Sequence, residues 1–388
     1  MMISRIILKN WRNFLAVDVG LRERVFLVGP NASGKSNFLD ALRFLRDLAR
    51  DGGGLQRAIG DRGGVSKIRC LAARRSPHVE MQIDIADASG KPPIWTYALG
   101  ITQQPSGRRQ PVLTYERVWK GERQILTRPD EKDREDEIRL TQTHLEQVNA
   151  NEKFRDIAEF LQSIRYLHLV PQLLRHPEAF SGPSMPEDPF GRSFLERVAR
   201  TPKTTRQSRL KKIERALGRA VPQLQELADT KDEAGVPHLE ARYRHWRPQG
   251  ARQREDQFSD GTLRLIGLFW SLLEGDSPLL LEEPELSLQT NVVRKLPSLM
   301  YDSLRTRKVR RQVVLSTHSV ELLSDPGIGP EEILILAPPD KAAKREATEV
   351  WLASSIEMIR DLLEGGMSIG EATLPYTNPE GVDQMELF

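Results

Sequence analysis

Eight consecutive residues near the N-terminus constrain this chain more than any other stretch. They match the pattern G-x-x-x-x-G-K-[ST] and read Gly29-Pro30-Asn31-Ala32-Ser33-Gly34-Lys35-Ser36. The apolar run at 25–28 before them predicts a buried strand, and the apolar residues from Phe38 to Ala49 recur along one face of a helix. A strand, a glycine-rich loop and a helix in this order are what a phosphate-binding loop requires.

The glycines, Lys35 and Ser36 of this phosphate loop (Gly29–Ser36) are residue types that suit a phosphate. Glycine lets successive backbone N–H groups turn toward an anion, and the N-terminus of the following helix adds positive potential. Lys35 would reach the β- and γ-phosphates of a nucleotide, and the hydroxyl of Ser36 would bind Mg²⁺. The alternative is a chance match in a glycine-rich turn, which does not explain the flanking strand and helix.

Composition narrows the class of protein. The chain has 388 residues, enough for one large domain or two modest ones, and its 57 basic and 54 acidic residues leave a net charge of +3. No apolar run approaches the roughly 20 residues of a spanning helix, and the N-terminus lacks the apolar core of a signal peptide. The single cysteine, Cys70, excludes an internal disulfide framework. We therefore expect a cytoplasmic protein without a membrane segment.

The hydrophobic period changes in the middle of the chain. Apolar and polar residues alternate in three segments, at 79–85, 94–101 and 112–120. This alternation predicts an antiparallel sheet inserted after the phosphate loop and its helix. The segment 128–139 mixes both signs of charge densely and predicts a solvated turn or helix face. Helical spacing at 143–161 and a buried-strand pattern at 164–170 follow, and five prolines at 171–190 predict a loop or a linker.

Basic residues are concentrated between residues 192 and 254. Ten Lys or Arg stand against two Glu in residues 191–220, and a second basic cluster with interleaved aromatic residues runs from Arg242 to Arg254. Such patches suit the phosphate backbone of a nucleic acid. The alternative is a solvated helix face whose arginines pair with acids elsewhere in the chain. The charge pattern leaves both interpretations open.

The C-terminal third places polar residues at the ends of two buried strands. The strand at 279–281 leads into Glu282 and Glu283, and carboxylates at the C-terminal end of a strand lie where an open parallel sheet carries its chemistry. One acid would hold the Mg²⁺ shell, and the other would orient or deprotonate an attacking water. The strand at 313–315 leads into His318, which could bond to the γ-phosphate or to the water. A structural histidine is the alternative.

A further motif precedes the acid pair. Ser259 and Gly261 open an apolar helix at 263–273, and a serine and a glycine at a helix N-terminus can bind an anion. The alternative, a simple N-cap on a buried helix, is the stronger interpretation when the segment is taken alone.

The order of these motifs resembles the ATPase heads of the ATP-binding-cassette (ABC) type. That order is the phosphate loop, then Ser-Asp-Gly, then Leu-Glu-Glu-Pro-Glu, then Ser-Thr-His-Ser. Within that class, the chain looks like the branch of RecF, the structural-maintenance-of-chromosomes (SMC) heads and the overcoming-lysogenization-defect (OLD) proteins. The opening Ile-Ile-Leu-Lys-Asn-Trp-Arg-Asn-Phe fits the same branch. The motifs cover residues 1–50 and 255–337.

The resemblance implies an α/β fold, with an ABC-ATPase-like P-loop core, an inserted antiparallel β subdomain and a helical subdomain. It also implies ATP and Mg²⁺ as cofactors, hydrolysis of ATP, and a homodimer that forms across ATP. Lys35, Glu283 and His318 would be catalytic, and Ser36 and Glu282 would bind the metal. The nucleotide-binding residues would be Gly29, Pro30, Asn31, Ala32, Ser33, Gly34, Lys35, Ser36 and Asn37, with Ser259 and Gly261 acting on the ATP of the partner subunit.

The chain departs from the family pattern at three positions. Glu282 stands where aspartate is common, so this acid is one methylene longer. Asp260 replaces a glycine and brings a negative charge near a phosphate, which is tolerable if its side chain points away or caps the helix. Gln289 stands where aspartate or histidine is usual. The position of the glutamine loop is not determined, and the segment 62–67 is one candidate.

The motifs also predict how the chain is organised. We expect an N-terminal lobe at 1–140, a helical and basic lobe at 141–250, the remainder of the ATPase core at 251–340, and a C-terminal helix and tail at 341–388. No heptad run of coiled-coil length exists, and the chain beyond the last motif is too short for the nuclease domain of OLD proteins. The resemblance therefore implies a stand-alone ATPase subunit.

Three functions remain open at this stage. The first is a head that switches a separately encoded effector, nuclease-type, in bacterial anti-phage defence. The second is a RecF- or SMC-like clamp on DNA in repair or chromosome maintenance. The third is a regulatory module that holds ATP and scarcely hydrolyses it.

Overall fold

The computed structural model describes most of the chain. The described residues are 1–73, 78–105, 107, 109–177, 188–244, 251–305, 311–341 and 343–377. They form two compact units. Unit 1 comprises Met1–Arg165, Ser277–Leu280 and Val309–Phe388, and unit 2 comprises Tyr166–Asp276 and Leu281–Lys308. The predicted division into four regions stays a prediction.

The strands and helices are numbered in chain order. The strands are β1 Met2–Trp11, β2 Phe14–Gly20, β3 Arg24–Val28, β4 Val79–Ala86, β5 Trp95–Gln103, β6 Pro111–Lys120, β7 Arg123–Arg128, β8 Arg165–Leu167, β9 Leu224–Lys231, β10 Pro237–Tyr243, β11 Ala251–Arg254, β12 Leu279–Glu282, β13 Val313–Thr317, β14 Ile333–Ala337 and β15 Glu349–Leu352. The helices are α1 Lys35–Ala49, α2 Leu55–Gly60, α3 Val65–Ile68, α4 Glu131–Glu135, α5 Arg155–Gln162, α6 Pro171–Arg175, α7 Phe194–Arg200, α8 Lys203–Ala220, α9 Asp260–Leu273, α10 Thr290–Val293, α11 Leu296–Arg305, α12 Val320–Leu323, α13 Glu357–Glu364 and α14 Ile369–Thr377. Short 3₁₀ helices lie at Glu137–Thr141, Glu152–Phe154, Glu255–Gln257, Pro330–Glu332 and Ala353–Ser355.

The alternating segments form an antiparallel sheet in unit 1. Its order is β2-β1-β4-β5-β6-β7, so the three predicted strands are confirmed as β4, β5 and β6. They do not form a separate inserted sheet, because β1 pairs with β4 from Met2↔Ala86 to Lys9↔Glu80. The N-terminal hairpin β1–β2 thereby extends the sheet that the period-two pattern predicts.

The strand before the phosphate loop lies in a second sheet, of order β15-β14-β3-β13-β12-β8. β3 runs parallel to both β13 and β14, and all five of its residues are buried. This burial on both faces explains the continuous apolar runs at 25–28 and 313–315. The chain passes from unit 1 to unit 2 within β8 and within β12. The helix predicted after the loop is confirmed as α1, whose Phe38, Leu42 and Leu45 are buried.

The prediction that the segment 128–139 is solvated is wrong for Arg128 and Asp133. Arg128 and Asp133 are buried, with exposures of 1% and 0%. The Arg128 guanidinium donates two bonds of 2.8 Å to the Asp133 carboxylate and one of 3.0 Å to Glu116, which is also 0% exposed. Tyr97 donates to the same Glu116 at 3.1 Å. Mixed charge suggests solvent only when the partners are unknown, and here they satisfy one another in the interior.

Three other segments are shorter or more ordered than their patterns predict. The helix expected at 143–161 is α5 alone, preceded by turns and a 3₁₀ segment. The strand expected at 164–170 is the three-residue β8. The proline-rich segment 171–190 begins with helix α6, because Pro171 occupies the first helical turn, where its missing N–H has no partner to lose. The rest of that prediction lies partly outside the described residues.

Unit 2 combines helices with a small antiparallel sheet. That sheet has the order β11-β10-β9 and precedes α9 along the chain. α8 buries Leu210, Ile213 and Leu217 on one face. α9 is apolar and almost entirely buried, as its sequence predicts. None of the helices in the described ranges is long and apolar enough to cross a membrane.

Candidate nucleotide-binding site

The phosphate loop of unit 1 adopts a conformation that depends on its glycines. Gly34 has φ +102°, in the left-handed region, and a Cβ there would lie 2.1 Å from Nδ2 of Asn13. A Cβ on Gly29 would lie 2.6 Å from the carbonyl oxygen of Leu336. Both distances are too short for any side chain. The two glycines of the motif are therefore required by this backbone, as the pattern predicts.

Lys35 begins helix α1 and is only 6% exposed. Its Nζ donates to the carbonyl oxygens of Gly29 and Pro30, at 2.8 and 3.1 Å, so the ammonium lies over the loop. Ser36 is exposed, and no acidic residue lies in the first turn of α1. The helix N-terminus, an ammonium and a hydroxyl thus meet without a competing carboxylate from that turn, which favours an anion.

Asn13, in the turn between β1 and β2, braces the phosphate loop. Its Nδ2 donates to the carbonyl of Ser33 at 2.9 Å and to Thr348 Oγ1 at 2.8 Å, and its Oδ1 accepts from Nδ2 of Asn37 at 2.8 Å. The sequence reasoning missed this role. The only signal was the short Trp-Arg-Asn-Phe segment, whose contacts reach residue 348.

The neighbouring Arg12 belongs to a partly buried charge network around Asp40 and Asp47 of α1. Arg12 and Arg62 both donate to Asp40, at 2.6 and 2.9 Å, and Arg62 also donates to Asp47 at 2.9 Å. Burial alone would raise the pKa of Asp40, but Arg62 and Arg12 outweigh it and hold that pKa below its usual value. The segment 62–67 was the candidate for the glutamine loop, and that assignment stays a prediction. The Arg62 side chain is occupied in this network.

His318 lies beside the start of the phosphate loop within unit 1. β13 pairs in parallel with β3, so that Thr317 stands opposite Val28, and each strand then continues into a polar segment. His318 follows Thr317 directly and is exposed. The sheet therefore brings together two motifs that lie about 280 positions apart in the sequence, as expected for parallel strands that end at one edge.

In unit 2, Ser259 caps helix α9. Its Oγ accepts from the Thr262 N–H at 3.2 Å, so the N-cap geometry that was the alternative interpretation is present. Ser259 is nevertheless exposed. A Cβ on Gly261 would lie 2.9 Å from the Ser287 carbonyl oxygen, so the glycine permits a close approach of the segment after the acid pair. We call Ser259–Gly261 the signature segment.

The unusual Asp260 of the signature segment is neutralised by helix α6. Arg175 Nη2 donates to Asp260 Oδ1 at 2.6 Å and to the Phe258 carbonyl at 2.7 Å. Gln172 donates to the other carboxylate oxygen at 2.8 Å. The Asp260 side chain is therefore held by α6 and forms an ion pair. The sequence reasoning missed both Gln172 and Arg175, because they lie in the proline-rich segment predicted as a loop.

The acids Glu282 and Glu283 lie where β12 ends. The Tyr166 hydroxyl donates a hydrogen bond to the Glu282 carboxylate, a contact that the sequence did not indicate. Glu283 has φ +43°, an uncommon conformation for a residue with a side chain. Backbone strain of this kind concentrates at functional sites. Both side chains are half-buried, whereas Glu285 is buried.

These residues fit ATP and Mg²⁺ by their chemistry. The glycine-rich backbone of unit 1 is shaped for phosphate, and Ser36 and Glu282 offer the oxygen ligands that Mg²⁺ prefers. No group of three or more His, Cys, Asp or Glu that could hold a metal exists among the described residues. Mg²⁺ does not require one, since it usually keeps several waters and binds through phosphates and one or two protein oxygens.

A protein-family match covers most of the chain. Residues 24–324 match the family described as "AAA domain, putative AbiEii toxin, Type IV TA system". The chain belongs to this AAA family. Among curated proteins, no sequence matches this family member.

Solved structures show the fold of this AAA protein. An SMC head bound to the C-terminal winged-helix domain of ScpA is 15% identical, with a TM-score of 0.51, and the match covers 92% of this chain and 100% of that one. The SMC head domain from Thermotoga maritima is 13% identical, with a TM-score of 0.48, covering 91% and 99%. The match at a TM-score of 0.51, together with the family match, confirms the ABC-type P-loop fold and the RecF- and SMC-like recognition made from the sequence. The roles of the individual site residues stay predictions.

Proposed function

We propose that this AAA protein binds and hydrolyses ATP and acts as an ATP-controlled head. The observation that carries the proposal is the phosphate loop itself, whose left-handed Gly34, buried Lys35 and helix N-terminus form a phosphate-binding arrangement within unit 1. In this proposal Lys35 and the backbone N–H groups bind the phosphates. Ser36 and Glu282 hold Mg²⁺, which would neutralise charge on the phosphates when bound.

The proposed reaction is phosphoryl transfer to water. Glu283 accepts the proton of the attacking water, and His318 bonds to that water or to the γ-phosphate. Lys35 stabilises the charge that develops on the transferred group. Ser259 and Gly261 act on the ATP of a second protomer, so ATP binds the dimer better than the monomer and holds it together.

We further propose that the ATP-driven dimer switches a separately encoded effector, nuclease-type, in anti-phage defence. Two findings support a switch over an isolated enzyme. The family description names a putative toxin of a type IV toxin–antitoxin system, and an SMC head of the same fold binds a domain of another protein, ScpA. The proposal predicts that a neighbouring gene product co-purifies with this chain and that ATP changes its retention.

Gly34→Ala tests whether the phosphate loop is the ATP site. The added methyl group would meet Asn13 at 2.1 Å, so the loop must shift and we expect ATP affinity to fall by about tenfold or more, equivalent to about 1.4 kcal/mol. The measurement is titration with ATP by calorimetry. Gly90→Ala is the matched control, because Gly90 also has positive φ, +73°, but open space around its Cβ. Wild-type affinity in Gly34→Ala would contradict the assignment.

A clamp on nucleic acid is the second candidate function, and one surface of α8 favours it. Many basic residues are paired: Arg206 with Asp229 at 2.9 Å, Arg242 with Glu226 at 2.8 Å, and Arg252 with Glu240. The solvated-face alternative therefore fits much of the described part of the region 192–254, and residues 245–250 of the second basic cluster lie outside the described residues. Four basic residues of α8 do not belong to these pairs. We call them the basic stripe: Lys211, Lys212, Arg215 and Arg219.

All four residues of the basic stripe are exposed. They lie within about 100° of the α8 circumference, opposite the buried Leu210, Ile213 and Leu217, and span about 12 Å of helix. Within the described part of the chain, none of the four has a carboxylate within ion-pair distance. A groove of about 330 Å³, lined in part by Lys211 and Arg215, runs alongside. Unpaired charges in a row suit a phosphate backbone.

Lys212→Glu with Arg215→Glu tests this surface. We expect the affinity for a 30-base-pair DNA to fall and the salt dependence to lose about two units of its logarithmic slope, because two phosphate contacts are lost. Fluorescence anisotropy at several salt concentrations measures both. Lys132→Glu with Arg134→Glu, on exposed positions of α4, is the control of equal charge. Equal losses in both variants, or no DNA binding by the wild type, would reject the clamp.

A further inference from the structure

Arg264 is a buried cation that the proposed function does not use. It lies on α9, one helical turn after Asp260, and is 5% exposed. Its Nε and Nη1 atoms have no hydrogen-bond partner among the described residues. A buried guanidinium with unpaired donors is destabilising unless nearby charge offsets it. A nearby negative charge must therefore stabilise Arg264.

The surroundings of Arg264 are acidic. The carboxylates of Asp260, Glu285 and Glu283 all act on it electrostatically, although burial outweighs them and lowers its pKa. Asp260 already has Arg175 as its ion-pair partner. Asp260 makes the largest of these three contributions, and Glu285 and Glu283 add theirs from the segment Glu282–Glu285, which we call the acid segment.

Arg264 and Glu282, the first residue of the acid segment, line the same small cavity. The cavity, of about 10 Å³, is lined by Arg264 and Glu282 together with apolar side chains of Leu167, Leu169, Leu268, Leu281 and Pro284. This is about the volume of one water molecule. A guanidinium with unpaired donors and a carboxylate thus line the same small, largely apolar cavity, in which a small shift of either group changes their interaction strongly.

We propose that Arg264 is a positioning residue that links the acid segment to the signature segment of the same chain. This inference rests on the proposed function. Arg264 and Ser259–Gly261 lie on adjoining turns of the same α9, so a change in the charge of the acid segment moves the N-terminus of the helix. A divalent cation at Glu282 and the Arg264 guanidinium compete for the same carboxylate charge. One chain thereby couples its own metal-binding acid to the segment that acts on its partner's ATP.

The competition predicts two effects of opposite sign in Arg264→Met. Without the guanidinium the acid segment is more negative, so Mn²⁺ in the presence of ADP should bind roughly tenfold tighter. ATP-driven dimerisation should weaken, because the signature segment is no longer held to the acids. Mn²⁺ affinity is measured by electron paramagnetic resonance and dimer mass by light scattering. Arg206→Met, in the Arg206–Asp229 pair of α8, is the control and should change neither quantity.

A merely structural residue would give a different pattern. If Arg264→Met weakens both Mn²⁺ binding and dimerisation, or changes neither, the link is wrong. Arg264→Lys keeps the charge and should leave Mn²⁺ affinity near that of the wild type; a Mn²⁺ affinity like that of Arg264→Met would also reject it.

A measurement without any ligand separates this inference from the proposed function. In urea unfolding, Arg264→Met should lower the midpoint less when Glu285→Gln is also present, since the two charges then no longer depend on each other. Additive effects would overturn the link whatever ATP does. Non-additive effects in a chain that binds no ATP would leave the link in place and reject the proposed function.

Discussion

Glu283→Gln is expected to stop steady-state hydrolysis and to leave a dimer that lasts as long as ATP is present. A carboxamide keeps the shape of the side chain but cannot take a proton from water, and loss of a general base typically costs about 10²–10⁴ in rate. ATP binding should persist, because the phosphate loop lies in unit 1 and is unchanged. Phosphate release and solution mass, each with and without Mg-ATP, are the measurements.

The matched control is Glu331→Gln, an exposed glutamate in unit 1, which should hydrolyse ATP at the wild-type rate. A mass that doubles only with ATP in Glu283→Gln supports the head-to-tail dimer. If the mass does not change with ATP while the wild type still hydrolyses ATP, the proposed role of Ser259 in the partner's site is wrong. Undiminished turnover in Glu283→Gln would show that another group is the base.

Arg128→Met is expected to lower the free energy of unfolding by about 3–5 kcal/mol, the usual cost of breaking a buried ion pair by removing one partner. Glu116 and Asp133 would remain charged in the interior, each 0% exposed, with their strongest donor gone. Urea unfolding monitored by tryptophan fluorescence measures the change. Arg134→Met, at an exposed position of α4, should stay within about 0.5 kcal/mol.

The same network predicts a pH dependence. Burial alone would raise the pKa of Asp133, but hydrogen bonds from Arg128 and the Asp130 backbone prevail and hold it well below its usual value. A lowered native pKa stabilises the fold above the unfolded pKa, and this contribution is lost as the pH falls through the acid range. Arg128→Met should therefore lose less stability between pH 5 and pH 3 than the wild type. An equal acid loss in both would contradict the network.

The residues proposed to bind ATP and those proposed to transmit its effect belong to different units. The phosphate loop, braced by Asn13, is the proposed ATP-binding part of unit 1. In unit 2, the signature segment is tied to α6 through Asp260 and, by our proposal, to the acid segment through Arg264. By the proposed function, ATP bound at the phosphate loop changes an interface of this chain, as a head that controls a partner requires.

The sequence by itself determined the parts of this protein whose chemistry is contiguous. The phosphate loop, β3 and α1, the acid pair at the end of β12 and the cap of α9 were all predicted, because each depends on residue types within a few positions. Local spacing also predicted β4, β5 and β6. Their union with β1 was not predictable, since strand pairing depends on residues some 80 positions apart.

Only the tertiary structure decided which polar side chains meet. Asn13 braces the phosphate loop through a bond to a residue 335 positions away, and Asp260 is neutralised from a helix about 85 positions earlier. The charged segment at 128–139 was predicted as solvated and proves to contain an ion pair, Arg128–Asp133, whose two side chains are both 0% exposed. Charge in a sequence shows that a partner or water is needed, and the fold alone determines which of the two supplies it.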